Sequence, residues 1–145
     1  MAAAEGGLQI VVADDNTFMA NSLKVLLELW GHSVTPAYDG RAALALICDL
    51  RPDIALLDLR MPQIDGLEVA RRVRAALDPG RVVLVAVTGS ADPSDRVRTR
   101  AAGFDDHLVK PIDLQELRAL LRPQPREPAP AGGPAVSVID RGPVA

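Results

Sequence analysis

Three aspartates, a threonine and a lysine stand at matching points of an otherwise apolar sequence. Asp14 and Asp15 follow "LQIVVA", Asp58 follows "DIALL", Thr88 follows "VVLVAV" and Lys110 follows "DHLV". If these runs are strands of one sheet, the five side chains meet at its rim. Two carboxylates about 4 Å apart repel by roughly 4 kcal/mol at an effective dielectric near 20, and a third adds to the burden. Such a cluster protonates, loosens or takes up a cation. Mg²⁺ (or Mn²⁺) suits it, because a hard cation prefers carboxylate and carbonyl oxygens, keeps several waters and often completes its shell with a phosphate oxygen. Lys110 adds a second positive charge, so the group suits a small anion above a metal. Phosphoryl transfer needs cations around three equatorial oxygens and in-line positioning. A carboxylate can itself be the nucleophile, giving an acyl phosphate, and Asp58 is the best placed of the three. Taken singly, each residue has an ordinary explanation: Asp as a turn former, Thr as a strand residue, Lys before a proline. The joint pattern carries the information.

The elements that must position these residues are legible as period and punctuation. Short β-branched runs alternate with segments of helical period from Leu8 to Leu121, the rhythm of a parallel sheet with helices on both faces. Strands are expected at 8–14, 32–37, 53–58, 82–88 and 106–110. The runs before Asp58 and Thr88 are apolar almost throughout, as strands covered on both faces must be, whereas Pro36 marks 32–37 as an edge. Ligands in such sheets collect outside the carboxyl ends of the strands. Helix starts are signalled by Asn16, Asp39, Asp92 before Pro93, and two capping boxes, Asp65 with Glu68 and Asp113 with Glu116. Leu23, Leu26, Leu27 and Trp30 form one apolar stripe on the first helix, expected to be core.

Composition bounds the function classes. With 145 residues, 48% of them hydrophobic, one domain with a real core is expected. A formal charge of −3 gives no reason to expect a nucleic-acid or membrane surface. Arg96, Arg98 and Arg100 are read as solvated arginines. Cys48 is alone, which excludes an intrachain disulfide and a thiolate zinc cluster and suits a reducing compartment. "MAAAEGG" has no features of a secretion signal, and no apolar run is long enough to span a bilayer, so a cytoplasmic protein is expected. The expected organisation is a flexible N-terminus (1–7), a folded domain (8–122) and a Pro/Ala/Gly-rich flexible tail (123–145). That tail holds half of the 12 prolines, with "AVSVID" its weak candidate for a strand or docking peptide.

Together "VVADDN", "LLDLRMPQIDG", "VAVTGS" and "HLVKPID", over about Leu8 to Leu121, resemble the response regulator receiver domains, or CheY-like domains. The resemblance implies a single doubly wound (βα)5 α/β domain, flavodoxin-like, with parallel strand order 2-1-3-4-5. It implies that Asp58 is the phosphoacceptor, served by a histidine kinase or histidine phosphotransfer protein. Asp15, Asp58 and the Arg60 carbonyl would hold Mg²⁺, with Asp14 acting through water. Lys110 would contact the phosphoryl group, Thr88 would move toward it, and the peptide before Pro111 would be cis. Met61, Pro62 and Gly66 match the family's loop after the acceptor, and Gly89 is small where phosphate approaches. Arg60 and Ser90, each two residues after a site residue, would tune the lifetime of the phosphorylated state. His107 occupies the position of the family's aromatic switch; a surface histidine and a modified switch remain equal alternatives there. Such a protein is a signalling phosphoacceptor rather than an enzyme, although it catalyses its own phosphotransfer and slow dephosphorylation.

Other readings fit less well. A phosphatase of the haloacid dehalogenase type needs a second acid two residues after its nucleophile, where this chain has Arg60. A nucleotide-binding domain needs a glycine-rich loop after the first strand, and "ADDNTF" has none. A receiver-like binder that is never phosphorylated usually lacks some site residues; here all five are present. No output segment is expected after Leu121, so a stand-alone or detached receiver acting on an unknown protein target is anticipated.

Overall fold

The structure is a computed structural model that describes residues 7–78, 81–90 and 92–121. The expected tail 123–145 with "AVSVID", and residues 1–6 of the expected N-terminal segment, lie outside the described residues.

Ten elements alternate: β1 (Gln9–Ala13), α1 (Thr17–Leu29), β2 (Ser33–Ala37), α2 (Gly40–Leu50), β3 (Ile54–Asp58), α3 (Gly66–Ala76), β4 (Val83–Thr88), α4 (Pro93–Ala102), β5 (Asp106–Val109) and α5 (Leu114–Leu120). All strand pairings are parallel, in the order β2-β1-β3-β4-β5, as the resemblance implied. β2 is an edge, and Pro36 sits there without a ladder bond to lose. The five helix starts are capped where the sequence indicated. Asn16, Asp39, Asp65, Asp92 and Asp113 each accept a backbone N–H from the first turn. Both boxes are only half closed: Asp65 accepts from the Glu68 N–H at 2.9 Å and Asp113 from the Glu116 N–H at 3.3 Å, but among the described residues neither glutamate bonds back to its cap, and the Glu68 carboxylate goes to Arg71 and Arg72 instead. No helix of the described residues is long and apolar enough to cross a membrane.

Strand alternation sorts the core into two layers. Ile10, Val12, Ile54, Leu56, Val85, Val87 and Leu108 face α1 and α5, meeting Ala20, Leu27 and Leu117. Val11, Ala13, Ala55, Leu57, Leu84 and Ala86 face α2, α3 and α4, meeting Ile47, Val69, Val73 and Ala102. Every residue of β3 is buried. Full burial of a Leu or Val side chain is worth about 1.5–3 kcal/mol, so the strand that carries Asp58 is anchored from both sides. Within the α1 stripe, Leu27 is fully buried while Leu23 and Trp30 pack partly against that layer.

Arg74 on α3 fastens the layer of α2, α3 and α4 to the β5 edge. Its guanidinium donates to the Gly103 carbonyl at 2.9 Å, the Val82 carbonyl at 2.8 Å and Asp105 Oδ2 at 2.6 Å, and Asp105 also accepts from the Leu84 N–H. Arg74→Ala leaves those acceptors without their charged donor, and a loss of about 2–4 kcal/mol in urea unfolding is expected. A loss below about 0.5 kcal/mol would show that water replaces the guanidinium at no cost.

His32 gives stability a pH dependence. Its Nδ1 accepts from the Leu8 N–H at 3.0 Å, and burial pushes the imidazole below the usual histidine range. The folded state therefore binds protons less readily than the unfolded one. That stabilisation is present above the unfolded value near 6.5 and is lost as pH falls toward the folded value. The melting temperature is expected to drop from pH 7.5 to 5.5 by more in the wild type than in His32→Gln, whose neutral side chain does not titrate. Equal drops would exclude His32 as the source.

Candidate functional site

Parity along the strands decides which side chains meet. Continued past the strand ends, the alternation places Asp14 with Ile10 and Val12, Asp58 with Ile54 and Leu56, and Lys110 with Leu108, all toward the α1 and α5 side. Thr88 and His107 follow Ala86 and Asp105 toward the other side. The hydrogen bonds agree: Lys110 Nζ lies 2.9 Å from Asp58 Oδ2 and 3.4 Å from Asp14 Oδ2.

The loops then orient each group. Asp14 Oδ1 accepts from the Asn16 N–H at 2.9 Å, Asp58 Oδ1 from the Arg60 N–H at 3.0 Å, and Thr88 Oγ1 from the Ser90 N–H at 3.1 Å. Three strand ends thus use the same turn, a side-chain oxygen bonded to the N–H two residues on. The turn-forming role of these residues coexists with their place in the site. Ser90 Oγ accepts in turn from the Asp92 N–H, which ties the Thr88 turn to the start of α4.

Asp14, Asp58 and Thr88 are 4%, 7% and 7% exposed, deep enough for charges to matter. Ligand oxygens of Asp14, Asp15 and Asp58 lie within 4.8 Å of one another, a spacing at which two carboxylate charges repel by roughly 3–4 kcal/mol at an effective dielectric near 20. Burial pushes the Asp14 carboxyl above its ordinary range; the Asn16 N–H opposes this, the Asp58 charge adds to it, and Lys110 opposes it. Burial works against the Lys110 charge as well, but the hydrogen bond and charge of Asp58, followed by Asp14, outweigh it and hold the ammonium above the usual lysine range. The three carboxylates form an all-oxygen donor set with Asp15 open to solvent, which fits a hard divalent cation that retains water. They border a cleft of about 450 Å³ that Arg60, Thr88 and Lys110 also line.

Most sequence-predicted site residues are therefore brought together: Asp14, Asp15, Asp58, Arg60, Thr88, Ser90 and Lys110 share the cleft. The Lys110–Pro111 peptide is cis. A Cβ at Gly89 would meet nothing within 4 Å, so the space beside it is open and packing does not require glycine there. His107 is not brought in. It is 9% exposed, buried rather than at the surface. Its Nδ1 lies 3.5 Å from Thr99 Oγ1 on α4, and its Nε2 has no hydrogen-bond partner among the described residues. Burial, with the Arg96 charge, pushes its imidazole below the usual range. It lines a separate small cleft with Arg96, Thr99 and Arg100. Arg98 pairs with Asp95 at 3.1 Å and, with Arg60 and Thr88, lines a further cleft.

Comparison with known proteins agrees with the fold. The family model described as "Response regulator receiver domain" matches residues 10–122. The chain is 41% identical to the response regulator MprA of Mycobacterium sp. (strain KMS) over 127 residues, covering 88% of this chain and 54% of that protein. It is 41% identical to MprA of Mycobacterium avium (strain 104) over 115 residues, covering 79% and 50%. The chain thus spans about half the length of these curated relatives. Among solved structures, the Francisella response regulator 1452 receiver domain superposes with a TM-score of 0.73 at 27% identity, covering 79% of this chain and 93% of that one. The receiver domain of a sensor histidine kinase from Pseudomonas aeruginosa, solved with a magnesium ion coordinated in its active site cleft, gives 0.71 at 34% identity, covering 79% and 94%.

Proposed function

This chain belongs to the response regulator receiver domains of two-component systems, and on that premise we propose that Asp58 accepts a phosphoryl group from a phosphohistidine of a histidine kinase or phosphotransfer protein. The observation that carries the reading is the 2.9 Å contact between Lys110 Nζ and a nearly buried Asp58, set against two further carboxylates. In the reaction a carboxylate oxygen of Asp58 bonds to phosphorus, the N–P bond of the donor breaks, and its nitrogen leaves with the electron pair. An acyl phosphate on Asp58 results.

Asp15, Asp58 and the Arg60 carbonyl would hold Mg²⁺, with Asp14 acting through water, and the donor set and the magnesium-bound Pseudomonas relative support that assignment. When bound, the cation offsets the charge of the carboxylates and of the incoming phosphoryl oxygens. Lys110 is held charged beside the acceptor and neutralises a further oxygen. The Arg60 N–H fixes Asp58 Oδ1, so the nucleophile is oriented before the donor arrives.

Switching follows from the resting turn at Thr88. Its hydroxyl oxygen now accepts the Ser90 N–H, and attraction to the phosphoryl oxygens competes with that bond. Its loss would free Ser90 and, through the Asp92 N–H, the start of α4, favouring a second arrangement of that loop. His107, bridging β5 to Thr99 of α4, lies where it would respond, as a modified form of the family's switch. The exposed Arg60 and half-buried Ser90 side chains would tune the lifetime of the phosphorylated state by bonding the phosphoryl group or admitting water. The chain acts as a cytoplasmic signalling phosphoacceptor, catalysing its own phosphotransfer and slow dephosphorylation, and controls a protein partner rather than binding nucleic acid or a membrane. Incubation with a small-molecule acyl phosphate and Mg²⁺, followed by intact-mass spectrometry, tests the reading. One added phosphoryl group carries it; none removes it.

A further inference from the structure

We infer that Gly40, at the start of α2, is a positioning residue for the loop between Asp58 and α3, and through that loop for the Arg60 carbonyl; the inference rests on the Mg²⁺ site proposed for Asp15, Asp58 and Arg60. No motif of the acceptor site includes Gly40, which lies 18 residues before Asp58 in the chain. Its hydrogen-only Cα is pressed against the loop. A Cβ there would collide with the Ile64 carbonyl oxygen and stand 2.7 Å from Ile64 Cγ1 and 2.9 Å from its carbonyl carbon. Two of those three atoms are backbone, so the loop itself would have to move. Gly40 cannot retreat easily, since the Ala42 N–H donates to Asp39 Oδ1 at 2.7 Å and fixes the first turn of α2.

The other end of the loop is pinned in a similar way. A Cβ on Gly66 would stand 2.5 Å from the Asp58 carbonyl oxygen, and the Gly66 N–H donates to the Leu59 carbonyl at 3.0 Å. Between the two pins Gln63 adopts a φ of 74°, a left-handed conformation disfavoured for a residue with a side chain. Strain of this kind persists only where the surroundings enforce it, and here α2 and α3 supply the enforcement. Arg60 lies within this clamped stretch, its N–H already on Asp58 Oδ1. Preorganisation of a metal's ligands by such supporting contacts is worth about 10–100-fold in affinity.

Calorimetric titration of the full chain with MgCl₂ tests the assignment. Gly40→Ala is expected to raise the Kd by about 10-fold or more. Gly31→Ala is the control for lost stability: Gly31 has a φ of 99°, so alanine is strained there, yet its Cβ would meet nothing within 4 Å. Its Kd is expected to match the wild type. Should Gly40→Ala fail to fold, Ile64→Ala loosens the same contact from the loop side and is expected to weaken binding in the same direction. Wild-type affinity in Gly40→Ala, or in Ile64→Ala where it takes that variant's place, overturns the inference, as does equal weakening in Gly31→Ala. A wild type that releases no binding heat and shows no Mg²⁺-dependent melting shift overturns the metal site itself, and the role of Gly40 with it.

Discussion

Asp58→Ala, treated with a small-molecule acyl phosphate and Mg²⁺, is expected to gain no phosphoryl group above background, while the wild type gains one. The effect is all or none because the neighbouring acids are differently placed. Asp14 is nearly buried, and its Oδ1 and Oδ2 are held by the Asn16 N–H and, at 3.4 Å, by Lys110. Asp58 has the shorter contact to Lys110, at 2.9 Å, and stands at the end of the central strand, facing the cleft between two loops. Asp58→Asn keeps an oxygen for the Arg60 N–H and should preserve the fold while losing the anionic nucleophile. Intact-mass spectrometry of the three proteins reads the result. Equal labelling of Asp58→Ala and wild type would place the chemistry elsewhere and end the present assignment of the nucleophile.

Asp14→Asn is expected to separate stability from metal binding, moving them in opposite directions. The ionised Asp14 carboxylate is disfavoured by its burial and by the Asp58 charge. Removing its charge while keeping an oxygen for the Asn16 N–H should raise the metal-free melting temperature by a few degrees. The same change removes a charge that attracts the cation. For the wild type, Mg²⁺ at a hundred times its Kd stabilises by about 2.7 kcal/mol, a shift of roughly 10 °C for a domain of this size. In Asp14→Asn at the same concentration that shift should fall to less than half. The measurement is thermal melting with and without MgCl₂, and Asp49→Asn on α2 serves as a charge-matched control outside the carboxylate cluster. A lowered metal-free melting temperature would mean that the Lys110 contact outweighs burial. An undiminished Mg²⁺ shift would remove Asp14 from the metal's surroundings.

Local order was nearly all written in the chain. The apolar runs ending at Ala13, Asp58 and Thr88 are strands because β-branched residues fill a sheet covered on both faces, and helices start at Asn16, Asp39, Asp65, Asp92 and Asp113 because short polar side chains bond N–H groups two or three residues away. These are interactions within a few residues, and sequence records them directly. The list of site residues was legible for a related reason: each lies at the end of a strand, and parallel connections return every strand in the same direction.

Tertiary structure decided what spans the chain. Lys110 reaches Asp58 and Asp14 across 52 and 96 residues, and it can do so because all three share the face turned toward α1 and α5. A single-residue change of register would have reversed that face. His107 shares the face of Thr88 but pairs with Ala86, two residues below the rim, and so lies against Thr99, where it is buried rather than exposed. Arg74 finds Asp105 across 31 residues, and the bare Cα of Gly40 meets the Ile64 carbonyl, with no pattern in either local sequence to announce the pairing. The sequence by itself determined which groups arrive at the rim of the sheet. Which of them touch, and how firmly the loop beneath them is held, was settled by the alternation of side chains across the sheet and by the packing of α2 and α3 against it.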